Sequence, residues 1–327
     1  MKNEGRVFWL DNLKALGIML VVFGHAPAVD GHIASIIYSF HMPLFFFASG
    51  CTHKGSHFRK QISSIVSKLF VPYVFFLIIS CIYWMFANKY SPVKIYPYDI
   101  LGAFLYGSSI NDNFYFNPPL WFFSSLISLK ITAVFVSYIF KSRSLPVSFI
   151  ISIASIYYFN NSEVRLPQGI DIALISLFFY FFGEWVYKNS EKLNSNKWRN
   201  CIYLILAFTL VCILSLRNGR VDVNTLQFSN ELIFMVNALM GIIMVYYLSH
   251  IFGESEKLNF ISKNTIWYFP LHGFVFSFFT LFLVKILEVD KSIKDESMIF
   301  SVIYTLGAFV ILSACVKIKN KIGFKYF

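Results

Sequence analysis

The chain has 327 residues, of which 57% are hydrophobic, 20% aromatic and only 14% charged. Soluble domains carry about 25% charged residues, so this composition excludes an ordinary water-soluble globule and points to a polytopic membrane protein. The formal charge of +11 would suit nucleic-acid binding, but the basic residues sit in short loops between apolar runs, where the positive-inside rule puts them, and no nucleic-acid partner is expected.

The first apolar segment, 7–28, is long enough to cross a bilayer, which takes about 20 residues. It carries Asp11, Lys14 and His25. Charges inside such a span are expensive and usually functional. Lys14 and His25 are separated by about three helical turns with roughly 20° left over, so they share a face and lie roughly 16 Å apart along the axis. Asp11 stands one turn before Lys14 and can neutralise it on that face. The competing explanation is snorkelling of polar side chains at the two helix ends. With no small-residue cleavage site, the segment is expected to be a retained span rather than a secretory signal.

The second segment, 33–52, contains His41 and Pro43. Proline removes a backbone donor, and the sequence predicts a kink just beyond His41. That histidine is either a functional polar group or one that bonds a carbonyl of a neighbouring helix. A cationic loop follows, with His53, Lys54, His57, Arg59 and Lys60. It either sets topology or docks a phosphate-rich donor. After the third segment, 64–87, a long connection at 88–119 holds Tyr96, Tyr98, a short apolar stretch at 100–106, and the amides Asn111, Asn113 and Asn117. The short stretch cannot cross a bilayer and reads as an interfacial or re-entrant helix. Rings and amides suit a sugar-binding surface, and an interfacial aromatic belt explains the rings equally well.

Seven further segments follow at 119–140, 145–159, 170–187, 201–216, 231–250, 265–287 and 298–316. Lys130 and Glu184 lie inside two of them and are candidates to pair with each other. His272, beside Pro270, repeats the arrangement at His41 and is open to the same two explanations. With the N-terminus in the cytoplasm, 19 of the 28 basic residues fall on the cytoplasmic side and eight on the outer side. This bias predicts about ten transmembrane helices with both termini cytoplasmic. The expected fold is therefore an all-α, polytopic membrane helix bundle, a single integral-membrane domain over residues 1–327. The five cysteines lack zinc-ligand spacing and are expected to be free, buried thiols.

On this topology His25 lies near the outer end of its span, with Lys14 deeper on the same face. A histidine serves as general base towards a hydroxyl near neutral pH. A lysine meets an anionic phosphate or polarises a carbonyl. The spacing of His25, His41 and His272 matches no recognised ligand set, so no metal is expected. Neither a glycine-rich phosphate loop nor a Gly-x-Ser-x-Gly elbow is present, which argues against an ATP-driven machine or a standard serine hydrolase.

The pair Lys14-x10-His25, the run Phe-His-Met-Pro-Leu-Phe-Phe-Phe-Ala-Ser-Gly at 40–50, the Lys-Leu-Phe-Val-Pro-Tyr entry at 68–73, Leu-Trp-Phe at 120–122 and Tyr-Phe-Pro-Leu-His at 268–272 occur in this order. Together with the opening from Arg6 to Asp11, they resemble the integral-membrane acyltransferase 3 family, close to its fucose 4-O-acetylase and O-antigen acetylase branch. The resemblance covers most of the chain. It implies a ten-span enzyme of the cytoplasmic (inner) membrane that moves an acetyl group from acetyl-CoA, a cosubstrate rather than a bound cofactor, to a sugar or lipid-linked glycan hydroxyl. The family's basic-x10-His pair maps onto Lys14 and His25, with Asp11, His41 and His272 in support. The family more often has arginine at the first position, and lysine keeps the charge but loses the bidentate fork. The family's Arg-x-x-Arg before the third span is here Ile65-x-x-Lys68, and Arg59 and Lys60 are expected to complete donor docking with Lys68. Trp121 is expected to line the substrate pocket. The rival from another class is a secondary transporter or glycolipid exporter, which also uses many spans and buried charges.

Overall fold

The computed structural model describes residues 7–53, 58–87, 94, 96–107, 117–194 and 196–323. Arg6, Lys54, His57 and the amides Asn111 and Asn113 lie outside the described residues. Among the described residues the protein is all-α: every apolar segment of the sequence is helical, and extended pairing is limited to one antiparallel bridge between Asp222 and Gln227. In hydrocarbon no water is available to satisfy backbone N–H and C=O groups, so a chain this apolar must close its hydrogen bonds within helices.

The helices in chain order are α1 (Phe8–Gly24), α2 (Gly31–Tyr38), α3 (His41–Gly50), α4 (Phe58–Ile65), α5 (Val71–Ala87), α6 (Pro97–Tyr106), α7 (Trp121–Phe140), α8 (Ser144–Asn160), α9 (Ile170–Leu193), α10 (Lys197–Asn218), α11 (Glu231–Phe252), α12 (Glu256–Lys263), α13 (Thr265–Lys285) and α14 (Met298–Ile322). A π-helical turn, Val66–Phe70, joins α4 to α5. Among the described residues, eight continuous helical stretches are long and apolar enough to cross a membrane. One of them, Pro118–Asn160, is 43 residues long and is split by a 3-10 turn at Lys141–Arg143, where Lys141 adopts φ 49° and ψ −116°. That residue cannot continue an α-helix, so α7 ends and α8 begins there, with the Ser144 hydroxyl donating to the Lys141 carbonyl at 2.7 Å. The outer faces are apolar, as lipid requires: Ile205, Leu206 and Phe208 on α10 and Ile303, Leu306 and Val310 on α14 are all exposed. The protein is a polytopic membrane protein.

Two compact units make up the chain. The first comprises residues 1–48, 189–221 and 232–326, and holds α1, α2, most of α3 and α10–α14. Helices already in lipid gain little from hydrophobic association, so small residues and polar bonds fasten them. A Cβ on Gly241 of α11 would lie 2.1 Å from Phe40 Cγ, so only glycine lets the α2–α3 corner seat there. Asn12 of α1 donates to the carbonyls of Ser249 and Gly253 at the C-terminus of α11, at 2.9 and 2.6 Å. Asn237 of α11 donates to Ser215 of α10 at 2.9 Å, and Ser215 donates in turn to Ser39 at 3.5 Å.

The second unit comprises residues 49–188 and 222–231. Here Asp171, fully buried, accepts from Arg165 Nε at 2.6 Å and from the N–H of Ile172 at 2.8 Å. The short apolar stretch at 100–106 is the body of α6, whose carbonyls at Phe104 and Leu105 accept from the Gln168 side chain. All five cysteines are free, but only Cys51 is buried and Cys315 is exposed. The expectation of buried thiols fails because a thiol is apolar enough to face lipid as well as protein.

Candidate active site

The first unit gathers three histidines. His25 caps α1 with φ −97° and ψ −2°. The helix stops there because Pro27 cannot extend it and Ala28 turns to φ 59°. Ser301 of α14 donates to the Pro27 carbonyl and fixes the turn. Gly24 lets α2 close in, since a Cβ would stand 3.0 Å from Ile37 Cγ2. His41 opens α3, directly after the corner at Ser39 and Phe40. His272 lies early in α13.

The predicted kink beyond His41 is corrected by this geometry. The α-helix is interrupted by a turn at Ser39 and Phe40, before His41, and Pro43 sits in the first turn of α3, where a missing N–H costs nothing because the first turn has no intrahelical acceptor. The carbonyl that His41 bonds through Nδ1 is that of Ile37, four residues back in α2, at 2.9 Å.

The ring of His25 lies 5.2 Å from that of His272 and 6.4 Å from that of His41, centroid to centroid. Each imidazole bonds a backbone carbonyl of the preceding turn through Nδ1: His25 to Val21 at 2.8 Å, His41 to Ile37, and His272 to Phe269 at 2.7 Å. A carbonyl only accepts, so Nδ1 carries a proton in each ring, and a ring in its neutral form has Nε2 as the basic nitrogen. His41 and His272 are 3% and 1% exposed, while His25 is exposed. One accessible imidazole is thus backed by two buried ones, an arrangement suited to removing a proton from a hydroxyl at His25. Among the described residues no group of three or more His, Cys, Asp or Glu side chains is arranged to hold a metal ion.

Lys14 is half-buried on α1, three turns below His25. Asp11 is buried and accepts from Ser262 of α12 at 2.7 Å, so this carboxylate anchors α1 to α12. Two residues of the site were not anticipated from the sequence. Tyr38 places its ring 4.8 Å from His41 and 5.8 Å from His25, and the Arg220 guanidinium lies 4.3 Å over the Tyr38 ring. Tyr38 precedes His41 by one helical turn, a spacing that places two residues on one face. Arg220 had no such signal, since its sequence context is that of a loop charge.

The second unit holds the remaining candidates. Arg59 and Lys60 are exposed on α4, and Lys68 is exposed in the π-helical turn. Trp121 is buried at the start of α7. His53 is withdrawn from the cationic loop: it bonds the Tyr180 hydroxyl through Nδ1 at 2.8 Å and Ser137 Oγ through Nε2 at 3.3 Å. Burial pushes its pKa below the ordinary histidine value, with Glu184 pulling the other way. Lys130 stands over the Tyr180 ring at 5.6 Å, and Glu184 pairs with Lys188 one turn on at 2.5 Å.

The family model of the acyltransferase 3 type, described as an acyltransferase domain, matches residues 7–318. The chain belongs to the acyltransferase 3 family. This acyltransferase has its family match running from the start of α1 into the last helix, so both units fall within one matched region. Membership favours acyl transfer over the exporter reading. Comparison with curated proteins and with solved structures gave no match.

Proposed function

We propose that this membrane acyltransferase is an O-acetyltransferase that moves an acetyl group from acetyl-CoA to a sugar hydroxyl of a cell-surface polysaccharide or glycolipid precursor, in the fucose or O-antigen manner. It works in the cytoplasmic membrane as a single ten-span domain with both termini inside, as the distribution of basic residues favours. The observation that carries the reading is His25: an accessible imidazole whose Nδ1 is committed to the Val21 carbonyl and whose Nε2 is the basic nitrogen, at the end of the helix that carries Lys14.

His25 Nε2 takes the proton of the acceptor hydroxyl as its oxygen attacks the thioester carbonyl. The C–S bond breaks, an ester forms, and the proton passes to the departing CoA thiolate. Lys14 stabilises negative charge on the donor side. Asp11 holds α1 in place, His41 and His272 position His25, Arg59, Lys60 and Lys68 bind donor phosphates, and Trp121 contributes an apolar wall for substrate. The experiment is genetic and chemical. The gene is deleted, complemented with wild type or His25→Ala, and O-acetylation of surface glycans is read by mass spectrometry and NMR. Loss of acetyl groups restored only by wild type supports the reading, and unchanged acetylation in the deletion strain overturns it.

A further inference from the structure

We infer that the stack of Arg220 on Tyr38 is a binding site for an anionic group on the acceptor, a phosphodiester or a carboxylate carried close to the hydroxyl that is acylated. The inference rests on the reading of His25 as the base that meets this hydroxyl, and it adds the chemical class of the molecule that carries it.

The geometry is built from one unit of the chain. Arg220 follows Gly219, which ends α10 with φ 66°, a backbone conformation that takes the chain sharply out of the helix. The guanidinium carbon then lies 4.3 Å from the centre of the Tyr38 ring. Tyr38 in turn packs edge-on to His41 at 4.8 Å and lies 5.8 Å from His25. One ring therefore separates a permanent cation from the proposed base.

A guanidinium held over an aromatic face by the cation–π contact keeps its N–H groups for ligands, the fork that matches carboxylate and phosphate. Among the described residues Arg220 has neither an ion-pair nor a hydrogen-bond partner. Asp222, two positions on, instead accepts from the N–H groups of Asn224 and Thr225 at 2.9 and 3.2 Å. An arginine that served only to fasten the loop would be expected to use a carboxylate or a carbonyl, as Arg165 does with Asp171 and the Asn224 carbonyl. Arg220 is exposed, as an acceptor-facing group must be.

The test uses three hexyl glycosides of equal chain length: the neutral β-glucoside, the β-glucuronide, and the glucosyl phosphodiester. Binding of each radiolabelled probe to the full-length protein in nanodiscs is measured without acetyl-CoA, so the readout does not depend on transfer. Wild type is expected to bind at least one anionic probe about tenfold more tightly than the neutral one, as a charge-assisted bidentate contact allows. Arg220→Gln should remove that preference and leave neutral binding unchanged, while Arg220→Lys should keep part of it. The two anionic probes separate a sugar carboxylate from a phosphate source. Equal binding of all three probes by wild type, or loss of neutral and anionic binding alike in Arg220→Gln, overturns the inference. Acetyl transfer is then assayed on the same preparations. Charge-selective binding without transfer to any probe or to native glycan would count against the proposed reaction while leaving the anion site standing.

Discussion

The imidazoles of His25 and His272 lie 5.2 Å apart, one capping α1 and the other set early in α13, and both commit Nδ1 to a carbonyl of their own helix. This common tautomer gives the pair a direction. The buried ring offers Nε2 as an acceptor, and the exposed ring can take a proton from a substrate. Positioning by the neighbour and proton removal by His25 are therefore separable roles.

His25→Ala should lower acetyl transfer by about 10²–10⁴-fold, the usual contribution of a general base. The protein should still fold, because the His25 side chain is exposed at the C-terminal cap of α1. His272→Gln should cost less, with a shifted pH–rate profile rather than abolition. Initial rates from radiolabelled acetyl-CoA, with gel-filtration profiles as a check on folding, decide the matter. Full activity in a folded His25→Ala protein would sink the assignment.

Gly241 and Gly273 provide a paired test of packing. A methyl on Gly241 collides with Phe40, while one on Gly273 meets no atom within 4 Å. Overpacking costs about 1–3 kcal/mol, so Gly241→Ala should melt at a lower temperature in detergent. Gly273→Ala should be neutral or slightly stabilising, since alanine favours a helix by up to about 1 kcal/mol over glycine.

Removing one member of the Arg165–Asp171 pair strands a buried charge. Arg165→Met should destabilise the protein by about 3–5 kcal/mol, because Asp171 is fully buried. The double variant Arg165→Met/Asp171→Asn should recover much of that loss. Thermal unfolding of the two proteins side by side reads the difference.

His53 makes stability depend on pH in a defined direction. Burial holds its folded pKa below the ordinary value, which is about 6.5 in the unfolded chain. Below that pH the unfolded state binds a proton that the folded state resists, so stability is complete above about pH 6.5 and declines as pH falls towards the folded pKa. The melting temperature should drop over this window. His53→Gln, which keeps hydrogen bonding without titrating, should flatten that part of the curve.

The apolar runs were legible because hydrocarbon permits no unsatisfied backbone: the predicted segments are helical, but the second is divided between α2 and α3, and α9 and α14 run on past 187 and 316 into their polar ends. Even the break between α7 and α8 was marked, by Lys141 and Arg143 between apolar stretches. The corner before His41 was misplaced by the sequence reading. Pro43 signals a lost donor, but whether that bends a helix or opens one depends on where the helix starts. Ser39 and Phe40 set the start, because Phe40 seats against Gly241 of α11.

Hydropathy along single stretches of chain was enough to give the all-α fold class and the apolar helices, since each follows from the local pattern alone. Only the tertiary structure decided that His25, His41 and His272 converge, that Asp11 bonds Ser262, that His53 leaves the cationic loop for Tyr180 and Ser137, and that Arg220 lies over Tyr38. Each of these depends on which helices become neighbours. That is fixed by close approaches at glycines and by polar bonds between residues far apart in the chain, for which local sequence carries no period.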